Sequence, residues 1–243
     1  MKHIKPYKIF ESTSPNFPTT REEVIQVCEK YEIENYTIND DLSIDIDGNV
    51  NLYYRRLEYL PLKFNYVSDY FGCPENQLET LEGCPQRVGG SFGCDYNQLE
   101  TLKGSPQTVG GYFNCYRNEL KTLEGSPQTV YGGFNCSHNV LTSLEGGPQT
   151  VDGDFTCNNN KLRDLEHFPE VNGTIGIEEN TVYLLVYTFI ENADSFMIED
   201  FNDYEIVRNR DTVMLDRLQT FIRDNDLEMP DLEEIKKHYK IIE

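Results

Sequence analysis

The chain of 243 residues has no tryptophan, only four histidines, and half as many basic as acidic side chains, 21 against 42. Each scarcity narrows the classes of function open to it. The shortage of Lys and Arg extends over the whole length and leaves a net charge of -21. Such a field repels nucleic acid and anionic membrane, because capturing phosphate takes clustered cations. No apolar run approaches about 18 residues, so no membrane-spanning helix is expected. The opening residues 1–11 carry positive charge but no apolar stretch of the kind a secretory leader needs. His3, His138, His167 and His238 do not cluster, and the sequence holds no Gly-Lys-Ser/Thr loop, His-Glu-X-X-His or Gly-X-Ser-X-Gly. Asp45-Ile-Asp47-Gly48 has the look of a calcium-loop start. With Ser43 as first ligand, however, the acid required at the twelfth position is Tyr54, so the segment reads as a turn. No metal or cofactor is expected, and the chain reads as non-enzymatic.

What is present is a repeat. Cys73, Cys94, Cys115, Cys136 and Cys157 recur every 21 residues, each two after a Phe (Phe71, Phe92, Phe113, Phe134, Phe155) and three before an Asn (Asn76, Asn97, Asn118, Asn139, Asn160). Leu78, Leu99, Leu120, Leu141 and Leu162 follow, then Leu81, Leu102, Leu123, Leu144 and Leu165. A fixed period of this length denotes a solenoid. In the unit from Tyr112, Phe113 and Cys115 alternate with Tyr112, Asn114 and Tyr116, the period of a short strand with one inward face. Asn118 falls where the chain turns, and its amide can bond backbone of its own and the adjacent turn. Leu120, Leu123 and Val130 complete the core. Pro127 keeps the return segment extended, and Gly132 permits the second corner.

The pattern resembles the leucine-rich repeat, with Phe and Cys in the strand-core positions before the Asn. It is most similar to the short-repeat bacterial class of the YopM and IpaH effectors, whose return segments also carry Pro. The resemblance spans residues 50–180 and implies about seven parallel strands with an extended convex side. The catalytic domain of the IpaH ligases depends on a cysteine, and residues 181–243 have none, so that activity is not implied. Nearly the whole chain also resembles leucine-rich repeat proteins of large tailed phages. The likeness rests on the Met-Lys start leading to Phe10-Glu11, the segment Tyr36–Asp45, repeats ending Gly-X-Pro-X-X-Val-Gly-Gly, and Phe201-Asn-Asp-Tyr204. It implies an origin but no activity, and with it a cytoplasmic location, that of the host cell if the chain is phage-encoded.

Three regions are expected: an N-terminal cap at 1–49, the solenoid at 50–184 and a helical C-terminal cap at 185–243. Thr20-Arg-Glu-Glu23 reads as a capping box opening a helix to about Tyr31. Segments 35–39 and 42–47 read as strands, and Asp47-Gly48 as a turn. Segments 183–190, 196–204, 211–223 and 232–239 read as helices. The cysteine column reads as core packing: neighbouring strands are about 4.8 Å apart, too far for a 2.05 Å bond without backbone movement. The cytoplasm keeps such thiols reduced, which also leaves the Asn-X-Ser/Thr matches at Asn35, Asn135 and Asn172 without meaning. Cys84, on the return segment, is expected to be exposed. The Gln column (Gln86, Gln107, Gln128, Gln149) is expected to bridge turns through its amides, and the acidic column (Glu82, Glu124, Glu145, Glu166, broken by Lys103) to form a solvated rim.

The remaining outward positions make a Tyr/Asn/Asp surface on the concave sheet. Its candidate binding residues are Tyr70, Asp95, Tyr96, Tyr112, Asn114, Tyr116, Arg117, Asn135, His138, Asp154 and Asn158. Tyr suits an interface because it offers a large contact area with a polar tip. The function expected is protein binding through this face, to an unidentified partner, and the charge favours a basic one. The alternative is an acidic decoy that occupies a DNA-binding protein through its carboxylates.

Overall fold

The computed structural model describes residues 15–190 and 195–243. The start at residues 1–11 and His3 lie outside them. The chain opens with α1 (Arg21–Tyr31). It begins where expected because Thr20 accepts from the Glu23 backbone N–H while the Glu23 carboxylate reaches back to the Thr20 N–H. Val24 and Cys28 are its buried face. A hairpin follows, β1 (Tyr36–Ile38) against β2 (Ile44–Ile46).

From there the chain winds as a parallel β-solenoid of about six turns, alternating between two sheets: β3 (Val50–Asn51), β4 (Phe64–Val67), β5 (Phe71–Gly72), β6 (Arg87–Val88), β7 (Phe92–Gly93), β8 (Thr108–Val109), β9 (Phe113–Asn114), β10 (Thr129–Val130), β11 (Phe134–Asn135), β12 (Thr150–Val151), β13 (Phe155–Thr156), β14 (Glu170–Val171) and β15 (Ile175–Gly176). The odd-numbered strands from β3 to β15 form a seven-stranded sheet. The even-numbered strands from β4 to β14 form a second sheet, whose edge is extended by the β1–β2 hairpin through β2 against β4. The return segment is therefore more than an extended connection. Its Val column (Val67, Val88, Val109, Val130, Val151, Val171) pairs in register from turn to turn. The 21-residue period makes this inevitable: once Phe pairs with Phe in one sheet, Val must meet Val in the other.

Between the sheets the Phe column stacks as a ladder. Ring centroids of Phe71, Phe92, Phe113, Phe134 and Phe155 are 5.8, 5.1, 5.0 and 5.8 Å apart, and Phe64 and Phe168 close the ends edge-on. Each of the five rings from Phe71 to Phe155 is fully buried, a contribution of about 2–3 kcal/mol apiece. The cysteines fill the layer beside them as free, buried thiols. Cys84 is one of these, at 3% exposure. It turns inward toward Cys73, and does not face solvent as its place on the return segment suggests.

The Asn column is the lateral tie. Asn97 Nδ2 donates to the carbonyls of Cys73 (3.0 Å) and Cys94 (3.0 Å), and its Oδ1 accepts from Leu78 N–H at 3.0 Å. Asn118, Asn139, Asn160 and Asn180 repeat the arrangement. The Gln column behaves otherwise than expected. Its inter-turn bonds are backbone ones, Gln107 N–H to Gln86 O and Gln149 N–H to Gln128 O, while the Gln side chains are exposed.

The C-terminal region comprises α2 (Tyr183–Val186), α3 (Ser195–Asp203), β16 (Val207–Arg208), β17 (Thr212–Met214), α4 (Leu215–Asp224), α5 (Leu232–Ile235) and β18 (Lys240–Ile242). It is not purely helical. The start of the segment 211–223 is a strand, and the segment 232–239 contains one helical turn that leads into β18. β16, β17 and β18 form a small sheet of their own. β17 is built on Thr212-Val213-Met214, two of whose three residues are β-branched, and its pairing with β18 is a contact across 28 residues that local periodicity does not reveal.

Candidate partner-binding surface

The outward face of the seven-stranded sheet carries four side-chain columns. Those at the strand starts and centres are largely committed to the fold. Ser91 Oγ accepts from Tyr112 N–H (3.0 Å), and Asp154 Oδ1 from Thr174 N–H (2.8 Å). Asn114 and Asn135 accept from the N–H two residues on, at Tyr116 (3.2 Å) and Ser137 (3.0 Å). The bond from Thr174 holds the Asp154 carboxyl below its ordinary range. Asn114, Asn135 and Asp154 thus each have a structural task on this face.

Tyr70 and Tyr112 lie flat along the sheet. A methyl group on Gly72 would fall 2.0 Å from the Tyr70 hydroxyl, and one on Gly133 would meet the Tyr112 ring at 2.8 Å. These glycines are seats for the rings. Gly72 and Gly93 are consequently buried, as is Pro74, and do not form part of the accessible face expected from strand alternation. Burial raises the pKa of both tyrosines, and the Tyr112 hydroxyl engages the Asn135 and Thr156 side chains. Asp95, half-buried near Tyr70, has its carboxyl raised by that burial and by the neighbouring Glu75.

The fourth column lies at the turn just before each ladder Asn. Glu75, Tyr96, Arg117, His138, Asn159 and Glu179 all adopt the left-handed conformation, with φ between 50° and 57°. Glycine is the least strained residue there, yet this chain places large side chains at most of these positions, and three of them associate. The Tyr96 and Tyr116 rings meet edge-to-face at 5.4 Å, and Tyr116 meets His138 at 4.9 Å. The Arg117 guanidinium lies 5.5 Å from the Tyr96 ring and 5.7 Å from the Tyr116 ring. Among the eleven candidates, Tyr96, Tyr116, Arg117 and His138 form one contiguous ridge. Tyr70 and Asp95 lie toward the N-terminal end of the face, with Asp154 and Asn158 toward the other. Beside the ridge runs an open groove lined by Asn97, Arg117, Asn118, Glu119, His138, Asn139 and Asn159.

Two features escape strand alternation. Tyr53 and Tyr54, 49% and 64% exposed, continue the face toward its N-terminal end, with the Tyr53 hydroxyl bonded to Glu75. At the other end the C-terminal region docks on the last full repeat. Asp164 pairs with Arg210 at 3.0 Å; Arg163 lies over the Tyr239 ring and donates to the carbonyls of Arg210 and His238. The legible signal is a broken column: Thr80, Thr101, Thr122 and Ser143 cap the N–H two residues on, and Asp164 replaces them in the repeat that receives the cap. No helix among the described residues is long and apolar enough to cross a membrane. No protein-family model, no curated protein and no solved structure matches this chain.

Proposed function

We propose that this chain is a non-enzymatic interaction module that binds a protein through the outward face of its seven-stranded sheet. The observation that carries this reading is the ridge of Tyr96, Tyr116, Arg117 and His138. Rings and a guanidinium are held outward on backbone fixed by the Asn ladder, so little side-chain freedom remains to be lost on binding. Tyr and Arg are the side chains that dominate binding energy at interfaces. The short-repeat leucine-rich class fits the same proposal, supported by the Phe-X-Cys-X-X-Asn-X-Leu column. So does a phage origin, supported by the sequence likeness, which makes a host or viral protein in the infected cell the partner. The decoy alternative is less favoured, because Glu124 of the acidic column is neutralised internally by Lys103 (3.0 Å), as is Glu100 by Lys121 (2.6 Å).

The test is recovery of partner from host lysate by immobilised chain, quantified by mass spectrometry against Tyr112→Ala and Tyr116→Ala. Loss of a central tyrosine is expected to remove about 2 kcal/mol, roughly 30-fold in affinity. Equal recovery by variants that melt like the parent would refute the assignment of this face.

A further inference from the structure

We propose that the ridge is a receptor for a single carboxylate, carried by an extended segment of the partner with basic residues on either side of it. This rests on the reading of the same face as the interaction surface. The chain is rich in acids, and many of the described cations are used internally: Arg21, Arg55, Lys103, Lys121, Arg208, Arg210, Arg217 and Arg223 all pair with carboxylates. Arg117 is an exception. It lies against the Tyr96 and Tyr116 rings, and among the described residues it has no carboxylate partner. Glu100, on an adjacent turn, is held by Lys121. A guanidinium that packs against rings keeps its N–H edges for an acceptor in its plane, and two parallel bonds to one carboxylate match that fork.

The root of the side chain is fixed as well. The Arg117 backbone is left-handed at φ 51°, and its N–H is bonded to Ser137 O at 3.0 Å. In the groove beside it, the amides of Asn97, Asn118 and Asn139 are spent on the ladder. That leaves Arg117, His138 and Asn159 as its side-chain donors, with Glu119 the one carboxylate in its lining.

The same column limits the charge of the ligand. Along the turns it reads Glu75, Tyr96, Arg117, His138, Asn159, Glu179, with acid at both ends and the cation in the middle. Glu75 is two strand spacings from Arg117, about 10 Å, and Glu179 three, about 14 Å. A polyanion laid along the ridge would be repelled at both ends, whereas one carboxylate at the centre is not. An extended peptide rises about 3.3 Å per residue. The complementary segment therefore has Asp or Glu at its centre and Lys or Arg about three residues away on one side and about four on the other.

A random twelve-residue peptide display library, selected on the full chain, tests this. The selected sequences, synthesised with amidated C-termini, are titrated by calorimetry. Enrichment of the basic–acidic–basic pattern is expected, with affinity falling about tenfold or more in Arg117→Lys, a variant that keeps the charge but loses the fork, at unchanged melting temperature. Asp→Asn in the peptide is expected to give the same loss, with no further loss when both changes are combined. Peptides that need Tyr116 but carry no acid, or are indifferent to Arg117→Lys, would overturn the carboxylate receptor and leave the interaction surface standing. If no selected peptide depends on Tyr112, Tyr116 or Arg117, both readings fall.

Discussion

Replacing Asn118 by Ala in the middle of the ladder tests the idea that the Asn column ties the turns together. Asn118 is 8% exposed, donates to Cys94 O (3.1 Å) and Cys115 O (3.2 Å), and accepts from Leu99 N–H (3.1 Å). The carbonyls are not orphaned by its removal, because Cys94 O also receives Asn97 and Cys115 O also receives Asn139. The Leu99 N–H has no such reserve. Its desolvation penalty is about 1–3 kcal/mol and each lost bond about 1 kcal/mol, so Asn118→Ala is expected to destabilise by about 4 kcal/mol. Asn118→Asp is expected to be worse: the shape is retained, but a carboxylate would face two carbonyls with nothing to donate. Urea unfolding followed by circular dichroism reads both, with the midpoint falling at constant slope. A loss below about 1 kcal/mol for Ala, or an Asp variant as stable as the parent, would show that the ladder is incidental to stability.

Two further predictions concern the core and the docked C-terminal region. The seven thiols are buried, with burial lifting Cys28 to about 11 and Cys84, Cys94, Cys115 and Cys157 well above the ordinary thiol range. An aromatic disulfide reagent at pH 8 should therefore titrate none in the folded chain and seven in denaturant; a rapidly reacting thiol in the folded state would contradict the packing. Because these folded-state pKa values are raised, the stability tied to the protonated thiols is intact below their unfolded pKa of about 8.5. It is lost as pH rises from there through the folded values, so the urea midpoint should be level near pH 7 and fall above about pH 9. At the docking contact, Arg210→Met leaves the buried Asp164 carboxylate unpaired and is expected to destabilise by about 3 kcal/mol. Adding Asp164→Thr, which restores the residue type of the column, should recover most of that loss; no recovery in the double variant would refute the pairing.

The parts of this molecule written locally were legible in its sequence. Thr20 and Glu23 start α1 through bonds made within four residues. Phe71 to Phe155 and Cys73 to Cys157 declare their burial because one inward face must recur at every turn. Legibility failed where position along the chain was a poor guide to position in space. Cys84 occupies a place where other repeats carry Ser105, Ser126 or Gly147, and only the packing of the first turns shows that it faces Cys73. Gly72 and Gly93 alternate outward but are roofed by the Tyr70 ring, a contact set by rotamer. β17 looked like the first turn of a helix because its partner β18 is formed by the last residues of the chain.

By itself, the 21-residue period determined that this chain is a solenoid with an Asn-tied turn and a cysteine-lined core, since identical units can bury an inward face only by stacking on one another. Tertiary structure decided the rest. Tyr96, Tyr116, Arg117 and His138 come from three repeats, and a period shows which column each occupies but not which of its neighbours a side chain leans on. The left-handed turn sets the root of Tyr96, Arg117 and His138, the spacing of the turns brings the rings into contact, and no carboxylate among the described residues pairs with Arg117. The proposed binding surface is therefore built from the positions at which the repeats differ.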